Sequence, residues 1–140
     1  MSEIEDAMVG FSLSGEGLDP HQVTALLGIT PSRIHSRGDL VSARVQPATY
    51  HRAGLWSLDA DTPGHLPVPE QLRSLLQKLV PVADRIRSLS RAGITAEVRC
   101  GIFPSRPQAG TTLSPDIMRG IAELDASFGL TIYSEDGTEG

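Results

Sequence analysis

Residues 15 to 39 constrain the fold more tightly than any other stretch, because a helix start, a helix stop and an arginine-bearing segment follow one another. Asp19 stands where an N-cap carboxylate accepts from a free amide of the first turn. Pro20 then takes the first helical position, where its missing N–H is not needed. Gln22 has the capping-box spacing, and Leu18 can staple onto Val23. Val23, Leu26 and Leu27 make an inward stripe, and Gly28 supplies the left-handed residue that stops the helix near residue 27. Pro31 keeps the residue before it extended. Beyond it, an extended backbone puts Arg33, His35 and Arg37 on one side with Ile34 opposite.

Alternation marks the strands. Ala7, Val9, Phe11 and Leu13 alternate with Met8, Gly10, Ser12 and Ser14, while Met1 to Asp6 reads as a frayed end. Val41 to Tyr50 reads as an edge strand or a bulged one because of Pro47. In Gly54 to Asp59, Leu55 and Ser57 oppose Trp56 and Leu58. Ile94, Ala96, Val98, Cys100 and Ile102 alternate with Thr95, Glu97, Arg99, Gly101 and Phe103, and Phe128, Leu130 and Ile132 form a last strand. Between these lies a long helical stripe from Leu72 to Leu89, opened by Pro69 and stopped by Gly93. Pro81 either kinks it or starts a second helix, and the unbroken phase of the stripe favours the kink. Ser114, Pro115 and Asp116 repeat the cap-and-proline start for a helix facing Ile117, Ile121 and Leu124 inward.

The resulting order predicts an α+β fold: one mostly antiparallel sheet of four to five strands with three helices packed on one face. A ferredoxin-like split βαβ core with an extra helix and strand is the specific expectation. No linker divides residues 1–140, so a single domain is expected, with ends frayed near 1–6 and 134–140. There is no apolar run of membrane-spanning length and no signal-peptide layout, and Cys100 has no partner for an internal disulfide. A cytoplasmic protein of bacterial type follows.

Charge narrows the function classes. A formal net charge of −5 with few aromatic residues excludes a typical nucleic-acid binder. Residues 1–19 carry acids and no base, whereas residues 31–58 carry Arg33, Arg37, Arg44 and Arg52 against Asp39 alone. Gly10 to Gly15 lacks the order of a serine-nucleophile elbow, and Gly15-Glu-Gly17 lacks the lysine of a phosphate loop. His21, His35, His51 and His65 have no metal-ligand spacing, so neither metal nor cofactor is expected. Cys100 falls on the apolar side of its strand and reads as a small buried hydrophobe.

One constellation remains as a binding candidate: Arg33, His35, Arg37, Arg44 and Arg52, with His51 and the single tryptophan Trp56 nearby. Clustered cations raise the local potential and can receive a carboxylate, a phosphate or an acidic protein patch. The plainer account is that they pair with the acidic termini or solvate a sheet face, with Trp56 as a core residue.

Several short blocks carry a family likeness. They are Phe11-Ser-Leu-Ser-Gly15, Leu18-Asp-Pro20, Val23-Thr24, Leu27-Gly-Ile-Thr-Pro-Ser32, Arg37-Gly-Asp39, Trp56, Leu113-Ser-Pro-Asp116 and Leu130-Thr-Ile-Tyr133. In these the chain resembles an uncharacterised bacterial family catalogued as domain of unknown function 4279. The likeness covers nearly the whole chain and implies a stand-alone domain of this length; it carries no activity or catalytic residues.

With no catalytic constellation and a one-sided charge, the leading expectation is a non-enzymatic binding module, an accessory or immunity-type protein engaging an acidic protein partner. The alternative is a small anionic-ligand or enzyme domain using segment 33–52. A concave pocket beside Arg33, Arg37 and Trp56 favours the alternative, and a flat basic face favours the protein partner.

Overall fold

The computed structural model describes residues 4–42, 44, 46–104 and 110–133. Strand β1 spans Ile4–Gly15, helix α1 Pro20–Leu27, β2 Arg33–His35 and β3 Gly54–Asp59. Helix α2 spans Val68–Leu79, a 3-10 turn Val80–Val82, α3 Ala83–Arg91, β4 Thr95–Pro104, α4 Pro115–Glu123 and β5 Ser127–Ile132. The sheet order is β2-β3-β1-β4-β5. Neighbours are antiparallel except β4 and β5, which run parallel, so the expected mostly antiparallel α+β sheet is present with a mixed edge. The passages β1-α1-β2 and β3-α2/α3-β4 each leave one strand's width between their two strands, which is the split βαβ arrangement.

Alternation decides which face is covered. Ala7, Val9, Phe11 and Leu13 of β1 lie beside Ala96, Val98, Cys100 and Ile102 of β4, and Trp56 and Leu58 of β3 complete the apolar face. Val23 and Leu27 of α1, Leu72, Leu75, Leu76 and Leu79 of α2, Ile86 of α3 and Ile117 and Ile121 of α4 close over it as one cluster. Phe11 meets Trp56 edge-on, ring centroids 6.4 Å apart.

Helix α1 keeps the expected limits. Asp19 accepts from the His21 amide at 3.0 Å, and Gly28 takes the left-handed conformation with φ of 70°. The long helix is interrupted at Pro81 and does not run on as one kinked rod. Pro81 has no N–H to donate back one turn and its ring crowds that carbonyl, so the backbone tightens into the 3-10 turn before α3 restarts. The stripe nevertheless stays in phase, with Leu79, Ala83 and Ile86 all buried. Helix α2 begins one residue before Pro69, with Pro67 at its cap.

Five other expectations change. Leu26 of the α1 stripe is 38 % exposed and stands outside the core, which Val23 and Leu27 join. Residues 4–6 belong to β1, because Ile4 and Asp6 pair with Pro104 and Phe103; residues 1–3 and 134–140 lie outside the described residues. The described residues of Val41 to Tyr50 do not form the expected strand: the only pairing there is the bridge between Leu40 and Tyr50. Arg37 leaves the strand line, since Asp39 closes a turn with its amide on the Ser36 carbonyl and its carboxylate on the Ser36 amide. Ser114 occupies the cap position of α4 without capping it. Its hydroxyl instead donates to Asp116 and accepts from Arg73, and these two neighbours hold the Asp116 carboxyl at about 2, below its ordinary 3.8.

The loop after β3 shapes the site. Once β3 ends at Asp59, residues 60–64 take its place along β1, through Ala60 N–H to the Val9 carbonyl and Ala7 N–H to the Gly64 carbonyl. Gln71 of α2, 2 % exposed, clamps this loop: its amide nitrogen donates to the carbonyls of Ala7, Gly64 and Leu66 at 3.0–3.3 Å.

Candidate functional site

The strand residues that alternate with the core ones form a second face, over which no helix lies among the described residues. Pairing arranges them in rows across the sheet. One row is Arg33 (β2), Ser57 (β3), Ser12 (β1), Glu97 (β4) and Ser127 (β5). The next is Asp59 (β3), Gly10 (β1), Arg99 (β4) and Gly129 (β5), and beyond it lie Met8, Gly101 and Thr131.

The glycines in these rows let long side chains lie flat on the sheet. A Cβ at Gly10 would stand 3.0 Å from an Asp59 carboxylate oxygen and 3.7 Å from a terminal nitrogen of Arg99. A Cβ at Gly129 would stand 2.7 Å from a Glu97 carboxylate oxygen, and one at Gly101 would stand 3.0 Å from the Tyr133 ring. Gly in a strand interior marks such close approach. Arg99 therefore lies along the sheet, donates through Nη2 to the Ser57 hydroxyl at 3.0 Å, and helps bury Ser57 completely.

These residues enclose a concavity of about 690 Å³ lined by Arg33, Arg99, Asp6, Asp59, Glu97 and Tyr133 among others. Its walls are the 60–64 loop on one side and β5 on the other. Among the described residues, two buried polar atoms of its lining have no partner, Nε of Arg99 and the hydroxyl of Thr62. Among the described residues Arg99 makes no ion pair with Asp59 or Glu97, and its side chain is met by the neutral Ser57 hydroxyl. An unsatisfied guanidinium N–H carries a desolvation cost that a nearby acceptor would offset. At the far end Phe103 and Tyr133 stack at 4.7 Å, and Met8 is largely exposed beside them.

The sequence candidates separate in space. Arg33 is exposed on this face and lines the concavity. His35 shares the face but stacks on His51, ring centroids 3.4 Å apart. Burial, then the neighbouring His51, holds the His35 pKa below its ordinary value, and its Nδ1 is buried without a partner. Arg37, Arg44 and Arg52 are exposed on the 36–53 connection and do not line the concavity. Trp56 points to the opposite face, fully buried, its indole N–H donating to Thr24 Oγ1 at 3.0 Å. The structure thus joins Arg33 to Arg99, Asp59 and Glu97 and does not join it to Arg37, Arg44, Arg52 or Trp56. The alternation of β4 already put Glu97 and Arg99 opposite the core. What sequence reading lacked was the strand order that sets them beside β3. The strand glycines Gly10, Gly101 and Gly129 were the available signal.

Among the described residues no His, Cys, Asp or Glu group is arranged to hold a metal ion, and no helix is long and apolar enough to cross a membrane. No curated protein and no solved structure matches the chain. A family match extends over residues 3–135, in agreement with the motif likeness, and the chain belongs to the family described as Domain of unknown function (DUF4279).

Proposed function

We propose that the protein is a binding module that takes a small molecule with an anionic group on the open face of its sheet, with Arg99 and Arg33 receiving the anion. The observation that carries this reading is the pocket itself: a concavity of about 690 Å³ holding an arginine whose Nε is buried and unpartnered. Pockets of this volume suit small ligands, and a few convergent polar groups fix their orientation. Arginine receives carboxylate or phosphate through paired N–H donors, and partial desolvation strengthens those bonds. We assign binding and no reaction.

A library of small carboxylates and phosphates, read by thermal shift, tests the reading. Hits should stabilise the wild type and be lost in Arg99→Gln, whose unliganded melting temperature stays close to wild type. Hits that shift both proteins equally, or silence from this library and from zwitterionic amino acids alike, overturn it.

A protein partner, of the accessory or immunity kind, is the second reading, and a different observation favours it. Strand β5 is an open sheet edge that carries no charge, and Phe128, Leu130 and Ile132 along it are 38 %, 52 % and 60 % exposed. Under this reading Leu130→Lys abolishes capture of a partner at low salt while Arg99→Gln does not. The anionic-ligand reading expects the reverse sensitivity.

A further inference from the structure

We infer that the ligand of the open-face pocket is a zwitterion, a free amino acid with an apolar side chain. The inference rests on the pocket reading above and narrows its ligand. Arg33 and Arg99 line the concavity together with three acids, Asp6, Asp59 and Glu97. The lining is therefore acidic in sum, and a simple anion entering it meets more repulsion than attraction beyond its first contact. A ligand that brings a cation along with its anion matches both signs.

The placement of the charges supports the same ligand. Arg99 and Asp59 flank Gly10 from either side, so their backbones stand two strand spacings apart, about 10 Å. Both side chains reach inward over that one glycine and still form no ion pair with each other. Each keeps its charge available across a short gap over a floor without a Cβ. An amino acid lying on Gly10 sets its carboxylate against the guanidinium of Arg99, whose terminal nitrogen lies over that glycine, and its ammonium against Asp59. The Thr62 hydroxyl, also unpartnered, lines the same concavity and offers a further polar contact. Met8 and the Phe103–Tyr133 stack then form the surface that an apolar side chain covers. The arrangement also ranks alternatives by charge: an amine without a carboxylate leaves Arg99 unmatched, and a carboxylate without an amine leaves Asp59 unmatched.

Calorimetric titration of the full chain with leucine, methionine and phenylalanine tests this, alongside N-acetyl-leucine, which keeps only the anion, and leucinamide, which keeps only the cation. The expected result is binding of at least one free amino acid, with N-acetyl-leucine and leucinamide each weaker than leucine by about tenfold or more, the scale of one charge-assisted contact. Asp59→Asn should erase the preference for leucine over N-acetyl-leucine, and Arg99→Gln the preference for leucine over leucinamide. The derivative series uses wild-type protein, so it decides the matter even if a variant folds poorly. N-acetyl-leucine binding as tightly as leucine overturns the zwitterion and leaves the anion site standing. So does an Arg99-dependent hit in the carboxylate and phosphate library together with silence from every amino acid. Silence from both sets overturns both readings.

Discussion

The two faces of the sheet use the same strands and bury residues for different reasons. Toward the helices, β1 and β4 present Val9, Phe11, Leu13, Val98 and Cys100, each at most 4 % exposed and each there because apolar surface leaves water. Toward the open side the same strands present Gly10, Ser12, Glu97 and Arg99. Ser12 and Ser57 are buried there as well, 8 % and 0 % exposed, although no helix covers them. Ser57 is covered by Arg99, whose side chain lies across Gly10. A face closed by apolar packing loses stability in proportion to the volume removed. A face closed by its own long side chains can rearrange, and that freedom suits a surface that must receive a ligand.

The sharpest way to break this comparison is to truncate neighbours on one strand. Phe11→Ala should destabilise by roughly 3–5 kcal/mol, while Ser12→Ala should stay within about 1 kcal/mol. Chemical denaturation of both variants measures the difference; equal midpoints would mean that the two faces do not differ energetically.

A smaller effect comes from adding a methyl group to one glycine on each face. At Gly54, on the helix side, a Cβ would collide with the Leu18 carbonyl oxygen, and backbone must move to admit it. Gly54→Ala should destabilise by about 1–3 kcal/mol. At Gly129, on the open side, the obstacle is the Glu97 carboxylate, the far end of a flexible chain. Gly129→Ala should leave the melting temperature nearly unchanged and weaken ligand binding, because the displaced carboxylate moves toward the pocket. A thermal scan with and without ligand reads both quantities.

The smallest perturbation is chemical labelling. Cys100 is 2 % exposed, and burial pushes its thiol pKa up, so little thiolate is present near neutral pH. A thiol reagent should label it slowly in the native protein and quickly in denaturant. Arg99→Cys, placed in a Cys100→Ala background, should label quickly without denaturant, since residue 99 faces the open side. Similar rates at the two positions would place the adjacent residues on one face and contradict the strand phase.

Local signals were legible wherever they depended on a few neighbouring residues. Asp19, Pro20 and Gly28 delimit α1 because capping and left-handed backbone are properties of single positions. The alternation of Val98 and Cys100 with Glu97 and Arg99 separates the faces because the strand period is two. The same reasoning misjudged Arg37, whose phase ends where Asp39 turns the chain, and Val41 to Tyr50, whose apolar residues lack a partner strand beyond one bridge. A phase read in sequence holds only as far as the backbone stays extended.

The sequence by itself determined the α+β class, most of the element order and most of the core, which follow from capping, alternation and helical spacing within short windows. It also carried the family, through short motifs distributed along the chain. Only the tertiary structure decided that β1 lies between β3 and β4, and hence that Asp59, Gly10 and Arg99 share a row. The same order put Trp56 behind the sheet and Arg33 in front of it. The physical reason is that pairing between strands distant in sequence is set by the burial of the whole apolar face at once. No local window contains that requirement, so a site assembled across three strands becomes visible only after the strands have been laid side by side.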